Sequence, residues 1–161
     1  MRRLRIVRSA FVIVPLVVFL LIISTTNAGG LSETAKQACV EYGNQYCICP
    51  ELLMAIIEKE SGGNPNAENN GCKGLMQIYE KYHTDRMARL GVTNLYDERS
   101  NVLVGTDYIS ELFKKYNDVA TVLMVYHGEK NAVQKGNDGQ ISDYAYSILE
   151  RSAELERENG K

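Results

Sequence analysis

Pro50-Glu51-Leu52-Leu53-Met54-Ala55-Ile56-Ile57-Glu58-Lys59-Glu60-Ser61-Gly62-Gly63 reads as one helix with a defined start and stop. Proline suits a first helical position because its fixed φ is already helical and the N–H it lacks would have no partner there. Gly62-Gly63 ends the helix, and Asn64-Pro65 prevents resumption. At 100° per residue, Leu53, Ile56, Ile57 and Glu60 fall at i, i+3, i+4 and i+7 on one face, while Glu51, Glu58 and Lys59 point elsewhere. One carboxylate is thereby expected on the inward face, at the C-terminal end where a Gly-rich loop begins. Desolvation and the negative end of the helix dipole both raise the pKa of such a group. A carboxyl kept protonated near neutral pH is what a general acid requires.

Working outward, the pattern stays helical. Ser32 caps a first helix running through Val40 to Tyr42, with Glu33 in its first turn. A loop from Gly62 to Lys73 leads into Leu75-Met76-Gln77-Ile78, too short for a helix and expected to be extended. Glu80 to Leu90 forms a short helix closed by Gly91, and Asn101 to Tyr116 a longer one. Asp118 caps a helix over Val119 to Tyr126, and Ser142 caps the last, which runs into a solvated charged tail from Glu154 to Lys161. The fold class is mainly α with at most a short β-hairpin.

The 161 residues suffice for one domain with a real core. Arg2, Arg3, Arg5 and Arg8 precede an apolar run from Ala10 to Ile23, followed by small and polar residues through Ala28. Residues 1–28 therefore fit a signal peptide cleaved after Ala28, or an anchor through residues 10–23 if uncleaved. Either places the domain, residues 29–152 with a tail at 153–161, outside the cytoplasm. Removing residues 1–28 takes away four of the 18 basic residues and none of the 20 acids, leaving a net charge of −6. Nucleic acid is not a partner such a surface attracts.

Cys39, Cys47, Cys49 and Cys72 all follow the leader. An even count in an oxidising compartment favours two disulfides, with three pairings open; a reducing niche would leave four thiols. Zinc fits poorly, since Cys47-Ile48-Cys49 is tight spacing and only His83 and His127 supply imidazoles.

Ile56 to Gly62 with Asn64-Pro65, then Gly74-Leu75-Met76-Gln77-Ile78, resembles the soluble lytic transglycosylase family of lysozyme-like proteins. Asn101 to Phe113, Leu123-Met124-Val125-Tyr126 and Asp143-Tyr144 resemble its later helices, so the likeness runs in order from Cys49 to Leu149. The resemblance implies a lysozyme-like α-helical domain that cleaves peptidoglycan glycan strands without a cofactor. Glu60 would be the lone acid/base, Met76 and Gln77 substrate contacts, and Tyr126 and Tyr144 phenols that orient the acid. Ser61 would touch the substrate or Glu60, or bond its own helix backbone. Tyr146, two residues after Tyr144, lies on a different helical face. His127 stands where the family has Asn, able to donate and accept and to add pH sensitivity, or is a helix-end residue without a role; His83 reads as surface or as a residue behind those that touch the substrate. The product would be a 1,6-anhydro end. Hydrolysis as in goose-type lysozyme needs a second carboxylate, for which Asp85, Asp97 and Glu98 are available. A wall-binding domain without catalysis is the remaining alternative. Small exported members of the family serve conjugation, secretion or phage entry.

Overall fold

The computed structural model describes residues 30–161, so the leader reading lies outside the described residues. Among them are seven helices and three two-residue strands. They are α1 (Glu33–Tyr46), α2 (Pro50–Ser61), β1 (Glu68–Asn69), β2 (Cys72–Lys73), β3 (Ile78–Tyr79), α3 (Glu80–Leu90), α4 (Glu98–Lys115), α5 (Val119–Tyr126), α6 (Ala132–Asn137) and α7 (Asp143–Glu158). The mainly α class holds. Its small sheet has two antiparallel hairpins instead of one, ordered β1-β2-β3, with Asn69 opposite Cys72 and Cys72 opposite Tyr79. Four helix starts carry a side-chain cap, from Ser32, Asp97, Asp118 and Ser142. Each satisfies a first-turn N–H that the helix itself leaves unpaired. No described helix is long and apolar enough to cross a membrane.

α2 is the centre of the molecule, with α1 and α7 packed along it. Leu53, Ile56 and Ile57 are wholly buried, as their shared face requires. Burial is not confined to that face, however: every residue from Glu51 to Ile57 is buried, because two helices flank α2. Glu51, expected to point outward, is only 2 % exposed. Its carboxylate accepts from Asn159 Nδ2 at 2.9 Å, Lys161 Nζ at 2.8 Å and Cys49 Sγ at 3.1 Å. Burial pushes its pKa up, but the bonds from Lys161, Asn159 and Cys49 outweigh that and hold it at about 2. The expected solvated tail is therefore structured: α7 continues to Glu158, and the residues after it fold back to neutralise Glu51.

The segment 74–77 is a turn and not extended chain. Gly74 and Gln77 both take positive φ (73° and 48°), and the Gln77 N–H bonds the Gly74 carbonyl at 3.2 Å. Asn101 of α4, fully buried, locks it in place. Its Oδ1 accepts from the Met76 N–H at 2.8 Å, and its Nδ2 donates to the carbonyls of Lys73 and Leu95, both at 2.8 Å. A Cβ on residue 74 would lie 2.2 Å from the Leu95 carbonyl oxygen and 2.3 Å from Asn101 Nδ2, so only glycine fits.

No disulfide joins Cys39, Cys47, Cys49 and Cys72 in the structure, which has the four free thiols of the reducing alternative and not the two disulfides favoured by the even count. Cys39 is buried in α1, Cys47 and Cys49 are exposed on the link to α2, and Cys72 sits on β2. Burial pushes the Cys39 thiol up to about 12, which keeps it protonated and inert.

These contacts carry two expected outcomes. Asn101→Ala orphans one buried N–H and two carbonyls, and should lower unfolding free energy by about 3 kcal/mol or more in a urea titration. Lys161→Ala should lower stability at pH 7, by removing the one cation among the described residues paired with Glu51. Because the folded pKa of Glu51 lies below its ordinary 4.5, this difference is full above that pH and disappears as pH falls toward about 2. Thermal unfolding of both proteins across that window reads it.

Candidate active site

Glu60 occupies the last turn of α2, just before the left-handed cap at Gly62. It borders an open groove of about 580 Å³. The end of α5 contributes Val125, Tyr126, His127 and Gly128 to the groove, while the β1–β2 turn contributes Asn69 and Asn70. Gln77, Tyr79, Tyr82 and His83 line it from the sheet and α3. Among the described residues lining this groove, Glu60 is the sole carboxylate.

Burial raises the Glu60 pKa above the ordinary carboxylate value, offset in part by a hydrogen bond from Tyr144 and by the charges of His127 and Lys59. Tyr144 stands in the first turn of α7 and its hydroxyl donates to Glu60 Oε1. Ser142 sets that turn: its Oγ accepts from the Ala145 N–H and donates to Glu129. Burial and the neighbouring Glu60 push the Tyr144 phenol far up, so it remains a donor. The His127 ring stacks on Tyr144 with centroids 3.8 Å apart and planes 14° apart. His127 thus packs against the phenol that bonds the acid.

The two tyrosines divide the work differently from the expectation. Tyr126 does not reach Glu60; its hydroxyl donates to the Met76 carbonyl at 2.7 Å, pinning the 74–77 turn. Tyr144 alone bonds the acid, and Tyr146 is 57 % exposed on another face. Met76, expected to touch substrate, is fully buried, with its thioether beneath Gly105: a Cβ there would come within 2.4 Å of the sulfur. Ser61 bonds its own helix, donating to the Ile57 carbonyl at 3.1 Å and accepting from the Gly63 N–H at 3.2 Å. Gln77 does line the groove, but its amide nitrogen is committed to the carbonyls of Ala67 (3.2 Å) and Gly74 (3.0 Å).

His83 is buried and not a surface residue. Its ring packs 4.7 Å from Tyr108, which packs 5.6 Å from Tyr126, and Nδ1 lies 2.6 Å from Arg86 Nη1. Burial and the Arg86 charge lower its pKa to about 4, so it is neutral at ordinary pH. Arg86 in turn donates to the buried Asp107 at 2.8 Å and to Glu111. Sequence patterning missed this support behind the groove, and missed Cys72, Tyr79, Tyr82 and the two turn asparagines as its lining. None of them lies on the apolar face of a helix, the signal that pointed to Glu60. No group of three or more His, Cys, Asp or Glu among the described residues is placed to hold a metal.

A family profile described as the transglycosylase SLT domain matches residues 37–146. A transglycosylase of Enterobacteria phage PRD1 is 37 % identical over 93 residues, 57 % of this chain and 34 % of that protein. Membrane-bound lytic murein transglycosylase E of Buchnera aphidicola is 37 % identical over 81 residues, 45 % of this chain and 37 % of that protein. Protein IpgF of Shigella flexneri is 34 % identical over 105 residues, 60 % of this chain and 62 % of that protein. The first two relatives are thus matched over little more than a third of their length.

Tyr144→Phe removes the one hydroxyl bonded to Glu60 and keeps the ring under His127. Since that bond lowers the Glu60 pKa, the substitution should raise it further. Carboxyl-carbon NMR titration of Glu60 in the two proteins measures the shift; a pKa that stays put or falls contradicts the assignment.

Proposed function

The chain belongs to the transglycosylase SLT domain family, and from that premise we propose that it is a peptidoglycan lytic transglycosylase with Glu60 as its acid/base. The groove takes a glycan strand so that the bond between N-acetylmuramic acid and N-acetylglucosamine lies at Glu60. Protonated Glu60 gives its proton to the glycosidic oxygen as the C1–O bond breaks. The acetamido carbonyl of the muramic acid shields the electron-poor C1, the substrate-assisted route open to acetamido sugars. The Glu60 carboxylate then takes the proton of the C6 hydroxyl, whose oxygen attacks C1 and closes a 1,6-anhydro ring. One proton leaves Glu60 and one returns, so no water is consumed.

The observation that carries this proposal is that Glu60 is the one carboxylate among the described residues lining its own cavity. Hydrolysis requires a base to activate water, and none of the three acids available in the sequence for that task lines the cavity at Glu60. Asp97 caps α4, Glu98 accepts from Ser32, and Asp85 borders an adjoining cavity. Burial supports the first step by keeping Glu60 protonated to higher pH, and Tyr144 aims the carboxyl without adding charge. Met76 has no substrate role in this scheme; Tyr126 acts only through the turn it pins. Export by residues 1–28 and service to a wall-crossing apparatus belong to the same proposal, the latter supported by the likeness to a phage transglycosylase.

Mass spectrometry of purified peptidoglycan digested by the protein should find anhydro-muramic ends. Reducing muramic ends in their place would make it a hydrolase. Glu60→Gln should lower the rate by about 10²–10⁴-fold, the range for loss of a general acid, with the fold intact by circular dichroism.

A further inference from the structure

Tyr82 is the most exposed of the large apolar side chains among the described residues, at 79 %. An aromatic ring held in water forgoes the free energy its burial would supply, and this one does so on the lip of the groove. It lines both the Glu60 cavity and the adjoining one, which it shares with His83 and Tyr108 and which does not reach Glu60. Tyr82 therefore marks the place where the groove continues past the acid.

The ring is also backed. Tyr79 lies 4.8 Å away by centroid at 52°. Tyr79 is itself laid on the backbone of Gly71, where a Cβ would meet its Cε2 at 2.7 Å. Gly71 (φ 85°) thus leaves room for Tyr79, and Tyr79 flanks Tyr82. Asn69 and Asn70, from the same turn, line the groove beside this pair. A flat apolar ring next to side-chain amides matches an N-acetylhexosamine: the axial C–H bonds of a pyranose face an aromatic π cloud, and an acetamido group pairs with an amide.

We propose that Tyr82, backed by Tyr79, is a saccharide subsite of the strand-binding groove, holding an N-acetylhexosamine ring away from the bond that is cut. This rests on the glycan-cleaving function proposed above. Through it, contacts remote from the reacting centre anchor the strand, so the gain appears only for oligosaccharides long enough to reach Tyr82.

The chain has no tryptophan, so Tyr82→Trp creates a single fluorophore at the subsite. In the full chain carrying Glu60→Gln, titration of that variant with β-1,4-linked N-acetylglucosamine oligomers should shift and saturate the emission for the pentamer and hexamer, and leave it unchanged for the monosaccharide. Calorimetry with the hexamer on Glu60→Gln should show affinity falling roughly three- to tenfold on adding Tyr82→Ala, and within about twofold on adding Tyr82→Phe, as ring stacking requires. Thermal unfolding should be the same for all three, since the side chain is exposed. Equal hexamer affinity with and without Tyr82→Ala, or silent emission while calorimetry records binding, overturns the subsite alone. Failure of the hexamer to bind Glu60→Gln at all overturns the glycan-binding function and the subsite with it.

Discussion

The amide of Asn101 is the contact on which the rest of the site depends. A turn at 74–77 must lie between α4 and the sheet, with its backbone buried and its polar groups paired. One side chain achieves this by accepting from Met76 and donating to Lys73 and Leu95. Net, each such bond is worth about 1 kcal/mol, but an unpaired buried group costs more, so all three stand or fall together. The turn then presents the Met76 carbonyl to Tyr126 and Gln77 to the groove. The groove wall is thus built from hydrogen-bonded backbone, with apolar packing behind it.

α2 carries two acids, Glu51 and Glu60, that meet opposite fates. Glu51 is the more deeply buried, yet three donors keep it ionised. Glu60 is less buried, but has one phenol as its donor and is pushed toward the protonated form. Burial by itself does not choose between a carboxylate held ionised and one pushed toward protonation; the number and charge of the donors do. Helical spacing singled out Glu60 for the right face and Glu51 for the wrong one. Periodicity assumes a single buried stripe, and α2 is flanked on more than one side.

Much of the fold was legible in the sequence because helix signals are local. Ser32, Asp118 and Ser142 cap as their positions suggested, and Pro50 and Gly62 bound α2. What escaped depended on contacts distant in sequence. Residues 75–78 looked extended because nothing nearby announces Asn101; the tail looked solvated because its partner is Glu51, more than a hundred residues earlier. α6, six residues long, offered too little periodicity to see. At the site, spacing pointed to Glu60 and the family resemblance to Tyr144, but only packing distinguishes a phenol on the acid from one on a carbonyl.

α7 is last in chain order among the described helices, and it supplies both the phenol on Glu60 and the lead into the residues that neutralise Glu51. A ribosome delivers the chain in that order. Until residue 144 and the chain beyond it have emerged, α2 has α1 but not α7 beside it, and Glu60 lacks the hydroxyl that bonds it. A chain delivered only as far as α6 therefore carries Glu60 without the phenol that aims its carboxyl.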